Sequence, residues 1–176
     1  MNKMEKLFTS VTNEESVVLK KWSTELGDNF CTGVKLSACA VFAICDGVVV
    51  QILKSDKYRS VITLRSYDGI YFRYCGMDTR YVAVIESQEV VKGQKLGQCY
   101  NNCLLFELCT EEKSKFPVRV WSTTVFKHDP LPYLAGDDII NSNRSKYTET
   151  NPADLPEVTL SSSMISEFSD SRGDDE

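Results

Sequence analysis

Inside residues 30–126 the hydrophobic pattern is that of strands. Short runs rich in Val, Ile, Tyr and Phe cover residues 34–44, 47–53, 60–65, 70–74, 81–86, 104–109 and 118–124. Turn dipeptides part them: Asp46-Gly47, Asp68-Gly69, Lys92-Gly93 and Asn101-Asn102. Many short strands at this spacing predict a mostly β fold, an antiparallel sandwich or partly open barrel. One helix is predicted, over residues 13–25. Thr12 or Asn13 would be its N-cap, and Glu14 and Glu15 would lie near its positive end. Val17, Val18 and Thr24 are poor helix formers and weigh against it.

Charge divides the 176 residues unevenly. Residues 137–176 hold ten acids and three bases, a net of −7, whereas the preceding residues carry a net of +2. Past Leu134 the composition turns to Asn, Ser, Thr, Asp and Pro, too poor in apolar residues to order itself. Three parts are expected: an N-terminal extension (1–29), a β domain (30–136) and a flexible acidic tail (137–176). Within the tail, Val158, Leu160, Met164, Ile165 and Phe168 would suit a short docking segment. The overall charge of −5 argues against nucleic acid as a partner. No apolar run reaches membrane-spanning length. Charged residues punctuate the first thirty positions, so no signal peptide is read and a cytoplasmic product is expected.

There is one histidine, His128, and there are seven cysteines, at 31, 39, 45, 75, 99, 103 and 109. An odd count without a signal peptide reads as reduced, buried thiols. The absence of any C-x2-C pair argues against a zinc ribbon or finger. A single histidine excludes chemistry that needs two from one chain.

Several stretches, read in order, resemble the lysostaphin-type (LytM) zinc endopeptidases. Cys45-Asp46-Gly47-Val48-Val49-Val50 is similar to the family's P-A-D-G-x-V strand start. Ser66-Tyr67-Asp68-Gly69 and the strand up to Tyr74 are similar to its hairpin before Y-A-H-L. Val90-Val91-Lys92-Gly93-Gln94-Lys95-Leu96-Gly97 matches its V-K-K-G-Q-x-I-G turn, which biotinyl and lipoyl carrier domains share. Leu104-Leu105-Phe106-Glu107-Leu108 resembles H-L-H-F-E-V, and Asp129-Pro130-Leu131-Pro132-Tyr133-Leu134 resembles the D-P-x-x-Y-L exit. The resemblance implies the family's sandwich, with a groove across one sheet. Strand alternation independently sends Leu104, Phe106 and Leu108 to one face and Leu105 and Glu107 to the other.

The resemblance also implies where a zinc site would be. The family binds zinc through H-x-G-x-D and the second histidine of H-x-H, and uses two more histidines on substrate and water. The counterparts here are Cys31-Thr32-Gly33-Val34-Lys35, Tyr74-Cys75-Gly76-Met77 and Cys103-Leu104-Leu105. Cys31 and Lys35 stand for the first histidine and the aspartate, and Gly76 for a catalytic histidine. Cys103 and Leu105 stand for the two histidines of H-x-H. His128 matches no catalytic position. The expectation is a peptidase-like fold without a metal, a cofactor or catalytic residues. A rival expectation makes Cys31 a nucleophile activated by Lys35, or a disulfide partner of Cys103. A second comparison, with the glucose-specific sugar-phosphotransferase IIA domain, aligns Tyr74-Cys75-Gly76-Met77-Asp78-Thr79 with H-F-G-I-D-T. Tyr74 would then replace the phosphoacceptor histidine.

The function expected is a noncatalytic scaffold or assembly module with protein partners, such as a bacteriophage tail or baseplate component and hence virion-associated. The alternatives are a peptidoglycan-binding module and a hydrolase that uses Cys31. Lys54, Lys57, Arg59 and Arg65 around the 47–65 hairpin are a further candidate surface for an acidic partner or the chain's own tail.

Overall fold

The structure, a computed structural model, describes residues 4–55 and 59–134. Twelve strands make up nearly all of its regular structure. They are β1 (Lys6–Thr9), β2 (Glu14–Lys20), β3 (Val34–Ser37), β4 (Ala40–Phe42), β5 (Gly47–Lys54) and β6 (Arg59–Ser66), followed by β7 (Tyr71–Asp78), β8 (Glu89–Val90), β9 (Lys95–Gln98), β10 (Cys103–Thr110), β11 (Pro117–Val120) and β12 (Thr123–His128). A single helical turn, α1 (Leu131–Leu134), follows. The main sheet runs β1-β2-β3-β10-β7-β6-β5-β8, β12 joins β10, and β11 joins β12. β4 and β9 form a separate two-stranded sheet, and the pairing throughout is antiparallel. The expected mostly β, antiparallel fold is therefore the one observed.

Alternation along β10 organises the packing. Leu104, Phe106 and Leu108 enter the main core with Val34, Leu36, Ile62, Leu64, Phe72 and Tyr74. The Phe106 ring meets Tyr74 edge-on at 5.2 Å and stacks on Phe72 at 5.8 Å. Burying one such ring contributes about 2–3 kcal/mol. The Tyr74 hydroxyl stays satisfied by accepting from the Ile44 backbone N–H at 3.0 Å. On the opposite face, Tyr71, Cys109, Val120 and Val125 form a second, smaller core beneath the β11–β12 hairpin. The Trp121 indole N–H at the hairpin tip donates to the Val50 carbonyl.

Two local expectations are corrected. The predicted helix over 13–25 is instead strand β2, paired with β1 from Thr9 opposite Glu14 to Lys6 opposite Val17. Asn13 turns the chain with a φ of 52°, a conformation open to asparagine. Ser16 and Val18 then alternate towards the interior, so β-branched packing overrides the N-cap signal. Residues 81–86 are not a strand either. A 3-10 turn, Thr79–Tyr81, leads into a segment whose Ala83 N–H reaches Leu96 O at 2.9 Å, while Tyr81 and Ile85 stay exposed. Two other runs are divided. Residues 34–44 supply β3 and β4 to different sheets, and residues 118–124 turn at Trp121, whose φ is 55°.

Among the described residues no helix is long and apolar enough to cross a membrane. The tail and its 158–168 segment lie outside the described residues, as does Lys57 of the basic hairpin.

Candidate functional site

The outward face of the main sheet changes character along β10. Near the start of that strand the face is only partly covered. Leu105 lies between Lys35 of β3 and Cys75 of β7, each directly opposite it on a neighbouring strand. The row continues through Val61 of β6 to Leu53 of β5, an exposed leucine. Lys20 of β2 extends it past Lys35. Lys35 has no carboxylate partner among the described residues. This row therefore has two lysines at one end, Lys20 donating from Nζ to Asp28 O at 2.6 Å, and apolar side chains towards the other.

Two glycines place it. Gly33 brings the 31–35 segment against β10: a Cβ there would lie 2.3 Å from Phe106 O. Gly76 has a φ of +92° and sits where β7 bulges against β6. Its left-handed backbone disfavours any side chain, a histidine included.

One step further along the same face is a sealed ionic cluster. Glu107 accepts from Arg73 Nη1 at 3.1 Å and from Lys127 Nζ at 2.9 Å. The Cys75 thiol donates to its other oxygen at 3.4 Å. Glu107 and Arg73 are almost fully buried. Burial, and then the Glu107 carboxylate, push the Cys75 thiol far above its ordinary value, so it is no nucleophile near neutrality. Arg73 Nε and Thr63 Oγ1, neighbours across β7 and β6, lie buried with no hydrogen-bond partner among the described residues.

The cysteines divide into separate neighbourhoods. The Cys31 thiol is buried and donates to Gly33 O at 3.2 Å, and its backbone bridges to Ser23. Cys103 enters β10 opposite Ser37. Its thiol interacts electrostatically with that of Cys99, which in turn feels Cys39. Burial, then Cys103 and Cys39, push the Cys99 thiol up to about 12. Thus Leu105, Lys35, Gly76 and Cys103 share the region around the start of β10, while the Cys31 thiol is occupied by its own loop. His128 is on β12, with Nε2 2.9 Å from Thr110 Oγ1 and its backbone opposite Leu108.

A hydrolytic zinc needs about three nitrogen, oxygen or thiolate donors around one point, plus an open position. The row offers an ammonium, an alkyl group and a thiol that holds its proton. Among the described residues no group of three or more His, Cys, Asp or Glu is placed to hold a metal ion. These residues do not fit the ion.

Sequence reasoning missed the Arg73–Glu107–Lys127 cluster and the Cys39–Cys99 neighbourhood. The outward Glu107 was a signal for the first. Nothing in the spacing signalled the second, because β4 and β9 are more than fifty residues apart.

Residues 29–116, half of the chain, match the family model described as Peptidase family M23. A chain of the SpoIIQ–SpoIIIAH pore-forming complex is 17% identical with a TM-score of 0.56, over 78% of this chain and 96% of that one. The solution structure of lysostaphin is 21% identical with a TM-score of 0.53, over 73% of this chain and 53% of that one. CbpA from L. salivarius REN is 22% identical with a TM-score of 0.42, over 48% of this chain and 60% of that one. The chain thus spans little more than half the length of the last two. A search of curated protein sequences finds no match.

Proposed function

Because this chain belongs to peptidase family M23 yet presents Lys35, Leu105 and Cys75 in a row across its partly covered sheet face, we propose that it is a noncatalytic member whose former groove docks a protein partner in a larger assembly. The observation that carries this reading is Leu105. It occupies a central position on the face with a group that can neither ligate a metal nor hold a water. Lys35 beside it adds positive charge where a cation would have to bind. The partly exposed Leu105, Val61 and Leu53 instead supply a strip of apolar surface, and apolar surface favours a protein partner over a polar glycan strand. A chain from a pore-forming protein complex shares the fold over nearly its whole length, which supports assembly as a use for it.

The test pairs two measurements. Zinc content per chain, measured on protein purified under reducing conditions, is expected to be near zero, with no metal-dependent cleavage of peptidoglycan. Capture of partners from the native source is then compared between the wild type and Leu105→Asp. A partner held by the wild type and lost with Leu105→Asp supports the reading. If the assembly is a bacteriophage tail, the wild type also co-sediments with purified tails. One tightly held zinc per chain, or sedimentation with sacculi that Leu105→Asp leaves intact, overturns it.

A further inference from the structure

We propose that Cys39 and Cys99 are a disulfide-forming pair, a redox clip at the rim of that sheet face. In the small sheet, Ala40 lies opposite Gln98 and Val41 opposite Gly97. Just outside the two strands, the Cys99 N–H donates to Cys39 O at 2.8 Å, which carries the register one residue further and sets Cys39 against Cys99. The Cys39 and Cys99 thiols lie close enough to interact electrostatically, and opposed residues of an antiparallel pair have Cα atoms about 4.5–5.5 Å apart. That separation lies inside the range that a disulfide spans.

The two thiols are suited to different steps. Cys39 is exposed and Cys99 is buried beside it. Cys39, as thiolate, attacks one sulfur of a small disulfide of the glutathione type. The small S–S bond breaks, one small thiolate leaves, and a mixed disulfide remains on Cys39. Cys99 then gives its proton to solvent and attacks the Cys39 sulfur, and the second small thiolate leaves. Two protein thiols are oxidised, and one small disulfide is reduced to two thiols. Because Cys99 holds its proton tightly, the second step is the slow one and quickens as pH rises.

The clip would act on the rim. Cys99 begins the short 3-10 turn Tyr100–Asn102, in which Asn101 and Asn102 both have positive φ. That turn delivers Cys103 to β10, with its carbonyl 3.0 Å from where a Cβ on Gly76 would lie. A bond from Cys39 to Cys99 ties this turn to the start of β4 and closes the loop that carries β4 to β9.

The full-length chain is incubated with oxidised glutathione at pH 8 and its remaining thiols are blocked. It is then digested without reduction and sequenced by mass spectrometry. A Cys39–Cys99 cross-link is expected. It should accompany a rise in melting temperature of roughly 5–15 °C, reversed by reductant. Cys39→Ser, at an exposed position, abolishes both. Cys103→Ser retains both, because it removes only the competing thiol. A Cys99–Cys103 or Cys39–Cys103 bond, a mixed disulfide that stops at Cys39, or thiols that all remain free would overturn the proposal.

Discussion

The buried ionic cluster makes a demanding prediction at Glu107. Its side chain is 4% exposed, that of Arg73 is 9% and that of Lys127 is 16%. Glu107→Gln keeps the shape of the side chain and removes one negative charge. Two cations then remain around a neutral amide, with Arg73 Nε already lacking a partner among the described residues. Removing one member of a buried charge cluster typically costs about 3–5 kcal/mol, because the surviving charges are left uncompensated. For a β domain of this size that corresponds to a melting temperature lower by roughly 10–20 °C. Urea denaturation read by tryptophan fluorescence measures it, with an unchanged m-value showing that the same surface is exposed. Lys127→Met is the internal comparison. It removes the more exposed cation, leaves the Arg73–Glu107 pair intact, and should cost no more than about 1–2 kcal/mol. A loss below about 1 kcal/mol for Glu107→Gln, or a larger loss for Lys127→Met, would refute the view that this face is sealed from water.

Thr63→Val should leave stability unchanged or raise it by about 1 kcal/mol, since Thr63 Oγ1 is buried without a partner among the described residues; a clear destabilisation in denaturant would show that the hydroxyl is satisfied after all. Gly76→Ala should cost about 1–2 kcal/mol, because φ is +92° and the new Cβ would lie 3.0 Å from Cys103 O; equal melting temperatures would contradict it. Stability should fall between about pH 9 and 12. The unfolded thiols and phenols ionise near 9 and 10, whereas burial pushes Cys99, Cys109 and Tyr71 up to about 12 in the folded protein. The folded state therefore binds more protons in that window, and the stability present below it is lost as pH rises. A flat pH 8–11 denaturation profile would count against this.

The strands and the core were readable because their signal is local. The alternation of Leu104, Phe106 and Leu108 against Leu105 and Glu107 set both faces of β10 before any neighbour was known. The 13–25 segment misled because a good N-cap and two early acids describe a helix start equally well whether or not the next turn can bury a face. Only the pairing of β2 with β1 and β3 decides that. The candidate face was legible in part. Lys35, Leu105, Gly76 and Cys103 lie around the start of β10; the family resemblance, not their spacing along the chain, is what groups them. The outward Glu107 hinted at a partner, but its meeting with Arg73 depends on the β10–β7 register and its meeting with Lys127 on where the β11–β12 hairpin returns to β10, neither of which the sequence spells out. The same holds for Cys39 and Cys99, which are brought together by a register that sequence spacing does not encode.

Strand β10 carries outward-pointing residues into two different environments within a few ångströms. Leu105 is partly exposed, whereas Glu107 and Cys109 are enclosed by the β11–β12 hairpin. Substitutions at position 105 can therefore change the chemistry of the face while the fold scarcely registers them. Two residues later, a change of equal chemical size threatens folding itself. The surface chemistry at 105 and the folding requirement at 107 can be varied separately along one strand. The scaffold can thus outlast any particular use of its surface.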